Sequence, residues 1–135
     1  MSVADLPADQ GGERPAGPDD PAGADDPHPT LELDDTVHQR VRLGVLTVAR
    51  EAERVEFAFL KARLGVTDGN LSRHLKVLED SGLIVVVKGY AGRRPRTWVT
   101  LTAQGAAALE RELRALRALV RQLDSYPPRA PAPEA

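Results

Sequence analysis

Residues 55–101 combine helical and strand periodicity in a single order, and this order restricts the fold more than any other feature of the chain. Residues 67–80 place leucines at the spacing of a buried helix face, whereas the β-branched run 83–88 and the segment 97–101 are typical of strands. The leucines of the helical stripe are Leu71, Leu75 and Leu78. These patterns predict a helix followed directly by a small β-hairpin.

Two further helices are predicted before this one. Asp34 or Asp35 is a suitable N-cap for a helix over residues 36–51, whose valines repeat at the spacing of a buried stripe. A second helix over residues 56–63 ends before Gly65, where a left-handed C-cap is expected. The valine stripe consists of Val37, Val41, Val45 and Val48.

The hairpin and a last helix complete the pattern. Thr67 caps the third helix, Ser81–Gly82 ends it, and the eight-residue loop GYAGRRPR links the two strands. Thr102 caps a long final helix that runs to about Tyr126. The order α-α-α-β-β-α, with a short additional strand near Val55, describes a winged helix-turn-helix. This is a mainly α fold with a small β-hairpin and a long C-terminal helix.

The composition divides the chain into a folded part and two tails. Residues 1–32 are rich in proline, glycine and aspartate and have few large apolar side chains, which predicts a disordered acidic tail, and residues 127–135 form a second, Pro-rich tail. The winged helix domain is predicted over 33–101 and the C-terminal helix over 102–126. Residues 1–35 carry a net charge of −9 and the remainder +7, for a total of −2. This asymmetry indicates a domain that faces nucleic acid and has an acidic appendage.

The side of the third helix opposite its leucine stripe carries residue types that contact DNA. Arginine can donate two hydrogen bonds to guanine, asparagine can pair with adenine, and a glycine in the first turn lets backbone N–H groups approach a phosphate. A solvated face of any surface helix is also polar, so this pattern alone is ambiguous. The predicted contact residues are Thr67, Asp68, Gly69, Asn70, Ser72, Arg73, His74 and Lys76.

The hairpin loop is strongly basic. Lys88, Arg93, Arg94 and Arg96 place four cations within nine residues that include no acid, and Pro95 stiffens the loop. Arginines presented in this way can contact phosphates or enter a minor groove. A solubilising hairpin tip is the alternative, although such tips usually mix charges of both signs. These five residues are the predicted DNA contacts of the hairpin.

The final helix has the pattern of a dimerisation helix. Its apolar residues are separated alternately by three and four positions, as at the a and d positions of a heptad, and charged residues such as Glu112 stand between them. The alternative is that this stripe packs on its own domain. A two-fold dimer would place two reading helices about 34–36 Å apart, which matches a palindromic site. The predicted dimerisation residues are Ala106, Leu109, Leu113, Leu116, Val120 and Leu123.

The residue inventory argues against several other classes of protein. The chain has no cysteine, and neither His38 nor His74 has a second ligand at metal spacing, so no metal or cofactor is predicted. No nucleophile triad, phosphate loop or carboxylate pair indicates an enzyme. No apolar run reaches the roughly 18 residues of a membrane span, and the N-terminus lacks the pattern of a secretory signal. A cytoplasmic, nucleoid-associated protein with no membrane contact is expected.

Three segments together resemble the bacterial winged helix DNA-binding domain family, small transcriptional regulators related to the MarR and ArsR types. They are HQRVRLGVL, LKARLGVTDGNLSRHLKVLEDSGLI and GYAGRRPRTWVTLTAQG, and the resemblance covers about Leu33 to Leu123. It implies a homodimeric cytoplasmic regulator with residues 67–76 in the major groove and residues 93–96 on the wing. It does not identify a small-molecule effector.

The sequence therefore predicts a sequence-specific regulator that binds double-stranded DNA as a homodimer, most simply as a repressor over a palindromic operator. Two alternatives remain: a winged-helix protein-interaction module and a non-specific architectural DNA-binding protein. The acidic tail raises a separate question. It either folds back over the basic face and competes with phosphate or serves only to improve solubility.

Overall fold

The structure is a computed structural model that describes residues 26–126 and 128–133. In this part of the chain, four α-helices pack with a three-stranded antiparallel sheet whose strand order is β1-β3-β2. The helices are α1 (Arg40–Arg50), α2 (Phe57–Leu64), α3 (Asp68–Asp80) and α4 (Ala103–Asp124), and the strands are β1 (Val55–Glu56), β2 (Ile84–Ala91) and β3 (Arg94–Leu101). The predicted winged helix-turn-helix order is confirmed, including the short strand near Val55.

The N-terminal boundary of the fold differs from the prediction. Residues 1–25, and with them most of the predicted disordered tail and the hypothesis that it covers the basic face, lie outside the described residues. The prediction is wrong for Pro29–Glu32, which form one 3-10 turn against α4. The proline suits the first position of such a turn, and the ring of His28 accepts a hydrogen bond from the Thr30 amide at 3.3 Å.

Helix α1 begins later than predicted, and its cap is a different residue. The side chain of Gln39 accepts hydrogen bonds from the amides of Val41 and Arg42, each at 2.9 Å, and thereby satisfies the first free N–H groups of the helix. Neither Asp34 nor Asp35 caps it, because the segment that they begin turns towards α4. The valine stripe is nevertheless correct. Its members Val37, Val41 and Val45 are buried, and Val48 packs against the same core.

The turn between α2 and α3 follows its local sequence closely. Gly65 has the predicted left-handed conformation, with φ +64°, and its amide donates to the carbonyl of Lys61 at 3.0 Å. The hydroxyl of Thr67 accepts from the amide of Asn70 at 3.1 Å, which caps α3 as expected. The leucine stripe of α3 is buried in the core, so the angle at which α3 leaves the turn is determined by packing.

The predicted eight-residue hairpin loop is wrong. The ladder between β2 and β3 continues to the pair Ala91↔Arg94, so Gly92 and Arg93 alone form the turn. Gly92 has φ +66°, the conformation that a two-residue hairpin requires and that side chains disfavour. The other six residues of the predicted loop, 89–91 and 94–96, extend the two strands instead. The hairpin is therefore a stiffer arm than the sequence suggests.

Helix α4 is part of the domain as well as a candidate dimerisation helix. Leu109 is fully buried with Ala108 in the core that α1 and α3 share, and Leu113 packs against that core. Leu109 therefore cannot serve a partner chain, and its prediction as a dimer residue is wrong. Ala106 is exposed. Beyond Ala106 the stripe divides along the helix: Leu109 and Leu113 pack internally, whereas Val120 and Leu123 are exposed.

The start of α4 requires glycine at position 105. A Cβ atom there would lie 2.0 Å from the carbonyl oxygen of Leu83 and 2.8 Å from Cδ1 of Leu101. We expect Gly105→Ala to lower the free energy of unfolding by about 3 kcal/mol, because α4 must move away from Leu83, which lies between α3 and β2. Chemical denaturation measures this change. Gly69→Ala is a matched control: Gly69 is helical, a Cβ there meets nothing within 4 Å, and we expect a gain of up to about 1 kcal/mol. Equal effects of the two substitutions would contradict the prediction.

A buried carboxylate holds the N-terminal segment onto α4. Glu112 is fully buried, and its Oε1 accepts from the amide of Asp34 at 3.1 Å while its Oε2 lies 2.6 Å from Nδ1 of His38. The sequence places Glu112 between the apolar heptad positions of α4 and does not reveal that it is buried. A buried carboxylate needs hydrogen-bond donors, and here they come from residues more than seventy positions away.

No helix within the described residues is both long enough and apolar enough to cross a lipid bilayer.

Candidate nucleic-acid interface

The outward side of α3 displays the residue types that the sequence predicts. Gly69, Ser72, Arg73 and Lys76 are exposed, whereas Asn70 is half-buried on the flank of the helix. Since the opposite side is fixed in the core by three buried leucines, these side chains have a defined direction. An ion pair of 3.2 Å joins Nζ of Lys76 to Asp80 one turn later, at an exposed site where it can be exchanged for another anion at little cost.

Two predicted contact residues at the start of α3 already have local partners. The hydroxyl of Thr67 is used as the helix cap, and the carboxylate of Asp68 forms an ion pair of 2.9 Å with Nζ of Lys61 on α2. Asp68 is also favourably placed near the positive end of the helix dipole. Its negative charge would repel a phosphate, and Lys61 offsets that charge. Both side chains therefore stabilise the helix-turn-helix itself.

His74 contacts α1 rather than standing alone. Its Nδ1 lies 3.0 Å from Nη1 of Arg42, and the same guanidinium donates to the carbonyls of Thr36 and Asp35 at 2.6 Å and 3.3 Å. Burial of the ring, followed by the positive charges of Arg42, Arg73 and Arg40, lowers the pKa of His74 below its ordinary value of 6.5. The ring is therefore neutral at pH 7.

The arginines around His74 form a basic group that the sequence does not reveal. Arg40 and Arg42, at the start of α1, act on the same ring as Arg73 on α3, more than thirty positions later. The sequence-based prediction named only the α3 residues. The sequence did contain a signal for Arg40 and Arg42. Both lie in the first turn of α1, next to valines of its buried stripe.

The hairpin arginines lie on a different face from Lys88. Val99 is buried on β3, and residues two positions apart share a face of a strand, so Thr97 and its cross-strand partner Lys88 lie on the inner side. Arg94 and Arg96 lie on the outer side, with Trp98. The four hairpin cations therefore do not form one continuous patch as the sequence suggests. Exposed Arg93 and Arg94 instead surround the tip.

Arg96 forms an ion pair within the fold. Its Nη1 donates to Oε2 of Glu56 at 3.1 Å, which ties the base of the hairpin to β1. Next to this pair, the guanidinium of Arg54 lies 4.5 Å from the ring centroid of Trp98. Within residues 26–126, by contrast, neither Arg93 nor Arg94 lies within ion-pair distance of a carboxylate. The prediction that Arg96 is displayed for DNA is therefore wrong, because an acid forty positions away holds it.

An open cleft of about 400 Å³ separates α3 from the hairpin. Its floor is apolar, with Phe57, Leu75 and Val86, and Lys76 and Lys88 stand on its opposite sides. Further residues that line the cleft are Asp68, Ser72, Glu79 and Thr97. The carboxylate of Glu79 accepts from the Val86 amide at 3.4 Å and so covers part of the free edge of β2. The cleft thus has α3 on one side, the hairpin on the other, and a lysine on each wall. This arrangement suits a nucleic-acid backbone.

The match to a known family decides what kind of domain this is. The model of the winged helix DNA-binding domain matches residues 41–120, which include α1 except its first residue, α2, α3, the whole hairpin and most of α4. The chain belongs to the winged helix DNA-binding domain family. The predicted resemblance is confirmed at the level of the family and of the fold.

Three individual proteins illustrate the family relationship. An uncharacterized protein of Methanocaldococcus jannaschii is 37% identical over 70 residues, which are 52% of this chain and 76% of that protein. A transcriptional regulator homologue from Pyrococcus horikoshii OT3 is 34% identical, with a TM-score of 0.63 over 67% of this chain and 90% of that one. The M. tuberculosis transcriptional regulator MOSR, solved in complex with DNA, is 26% identical, with a TM-score of 0.57 over 72% of this chain and 69% of that one.

Proposed function

We propose that this protein is a sequence-specific regulator of transcription that binds double-stranded DNA, most simply as a repressor. Helix α3 enters the major groove, and the hairpin tip lies on the backbone or in the adjacent minor groove. One observation carries the proposal: the exposed polar face of α3 and the inner face of the hairpin border the same cleft, with Lys76 and Lys88 on its two walls. Membership of a DNA-binding family and the DNA complex of the similar M. tuberculosis regulator support it.

The dimensions of α3 fit this role. Its 13 residues span about 20 Å, and the helix can lie in a major groove that is about 12 Å wide. Arg73 is exposed at mid-helix, where its two parallel donors can pair with guanine O6 and N7. Lys76 and the tip arginines contribute charge that is independent of base sequence. Specificity is therefore expected from α3, and overall affinity from the hairpin.

The second half of α4 is proposed to join two copies of the chain. Val120 is 55% exposed and Leu123 is 65% exposed, which is unusual for the apolar stripe of a helix. Next to them, Leu113, Leu116 and Val120 line an open apolar groove of about 350 Å³, flanked by Arg117 and Arg121. An isologous pairing of this stripe with its own copy covers the groove and gives the two-fold symmetry that a palindromic operator requires.

Selection of bound fragments from the source genome, followed by footprinting, tests the proposed function. We expect a discrete protected site with two-fold symmetric sequence. Equal protection of every duplex would instead indicate an architectural DNA-binding protein. Absence of salt-sensitive duplex binding, with a protein ligand on the cleft, would indicate an interaction module.

Arg94 and Arg96 are a matched pair for testing the hairpin. We expect Arg94→Ala to weaken binding to all duplexes alike and to reduce the slope of log affinity against log salt by about 1, because one phosphate contact is lost. Arg96→Ala should leave that slope unchanged and lower the free energy of unfolding by at most about 1 kcal/mol, because its ion pair with Glu56 is partly exposed. Titrations at four salt concentrations measure both. If Arg96→Ala alone changed the salt slope, Arg96 rather than Arg94 would be the phosphate contact.

A further inference from the structure

The contact between Arg42 and His74 restricts the chemical state of the histidine. Nη1 of Arg42 lies 3.0 Å from Nδ1 of His74, while the other guanidinium nitrogens of Arg42 donate to the carbonyls of Asp35 and Thr36. Three bonds in different directions hold the guanidinium in place. The contact thus links the start of α1 and the segment before it to the middle of the reading helix.

A guanidinium has only donors and stays protonated in proteins. Its bond to His74 therefore requires a lone pair on Nδ1, which an imidazolium does not have. The neutral ring then carries its single proton on Nε2. The lowered pKa of His74 agrees with this assignment, since burial and the charges of Arg40, Arg42 and Arg73 all oppose protonation. Within residues 26–126, no acceptor is bonded to the Nε2–H group.

We propose that Arg42 is a positioning residue that fixes His74 as the Nε2–H tautomer, so that a neutral imidazole on α3 donates a hydrogen bond to a DNA phosphate. The proposal rests on the DNA-binding function proposed above. His74 lies between the buried and the exposed sides of α3, next to Arg73. That border is where a helix lying in the major groove passes closest to the edge of the groove, and hence to the phosphates.

A neutral donor has a specific advantage at this place. Three arginines already surround the ring, and a fourth positive charge would be repelled by all of them. The neutral ring contributes a directed bond without displacing a counterion. It should therefore affect affinity but not the salt slope, and this separates it from Arg73. Asp35 takes part in this contact through its backbone carbonyl, which accepts from Arg42.

Nitrogen-15 NMR of histidine-labelled protein tests the tautomer without DNA. We expect His74 to be mostly neutral and protonated on Nε2 at pH 7, because its pKa is lowered from 6.5. In Arg42→Ala, the Nδ1–H form should appear and the pKa of the ring should rise, because both the donor and a positive charge are removed. Arg42→Lys, which keeps a donor and the charge, should restore the Nε2–H form in part. An imidazolium or an Nδ1–H tautomer in the wild type at pH 7 would overturn the proposal.

DNA binding then tests the donor. His74→Phe should weaken binding to every duplex roughly tenfold with an unchanged salt slope, as expected for one bond to a charged group. His74→Gln, which keeps an N–H donor, should retain most of the affinity, and wild-type affinity should be constant between pH 8 and 7. The donor role would be rejected if His74→Phe bound DNA as tightly as the wild type. It would also be rejected if wild-type affinity rose as the ring became protonated. If the wild type binds no DNA, the proposed function fails, whereas the tautomer measurement still stands by itself.

Discussion

Raising the salt concentration from 50 to 200 mM is expected to weaken duplex binding by roughly 10³–10⁵-fold, if six to ten phosphates are contacted per dimer. The cations for these contacts are present in each chain: Arg73 and Lys76 on α3, Lys88 in the cleft, and Arg93 and Arg94 at the hairpin tip. Counterions released from DNA account for the effect, so it does not depend on base sequence. Fluorescence anisotropy with labelled operator and with scrambled duplex measures it.

Two single substitutions separate the contribution of phosphate contacts from that of base contacts. Lys76→Ala should reduce the salt slope equally on operator and on scrambled duplex, because it contacts phosphate. Arg73→Ala should also narrow the difference in affinity between the two duplexes, by roughly 1–3 kcal/mol if its guanine contact is lost. A salt slope near zero for the wild-type protein would contradict DNA binding through this surface and favour a protein ligand.

Substitution of the exposed apolar stripe should have the second large effect. We expect Leu116→Lys with Val120→Lys to convert the dimer to a monomer and to lower operator affinity by roughly 10²–10⁴-fold, because the second half-site no longer binds intramolecularly. The new charges would face those of Arg117 and Arg121 across the two-fold axis. Light scattering gives the mass, and anisotropy gives the affinity.

The matched control adds the same two charges elsewhere on α4. Ala103 and Ala107 are exposed and have the same spacing of four residues. Ala103→Lys with Ala107→Lys should keep the dimer and the operator affinity. A wild-type monomer in light scattering, or a Leu116→Lys/Val120→Lys variant that remains dimeric, would remove the stripe from the proposed interface.

Local rules predicted the parts of the fold that depend on near neighbours. The left-handed Gly65 and the Thr67 cap involve partners within four residues, and the buried leucines of α3 repeat every three or four residues. These features can therefore be recognised in the sequence. The same holds for the cap at Thr102, whose hydroxyl accepts from the Gly105 amide at 2.9 Å. These elements suffice to indicate a winged helix-turn-helix and a candidate reading helix.

The errors have a common physical cause. The hairpin loop was mistaken because Gly92 and Arg93 make a turn only if the flanking residues pair, and cross-strand pairing is not a property of the segment GYAGRRPR alone. Leu109 was assigned to a dimer because heptad spacing shows that a stripe is buried but does not show against which surface. In both cases the pattern was real, and the partner was not encoded nearby.

The sequence by itself therefore determined the order of the elements, the caps of α3 and α4, the turn at Gly65, and the basic character of α3 and the hairpin. Only the tertiary structure decided which charges remain available. Arg96 is paired with Glu56, the buried Glu112 binds the exposed His38, and Arg42 contacts His74 more than thirty positions away. The reason is that helix and turn preferences arise from atoms a few bonds or one turn apart, whereas ion pairs and burial depend on distant segments that meet only when the chain has folded.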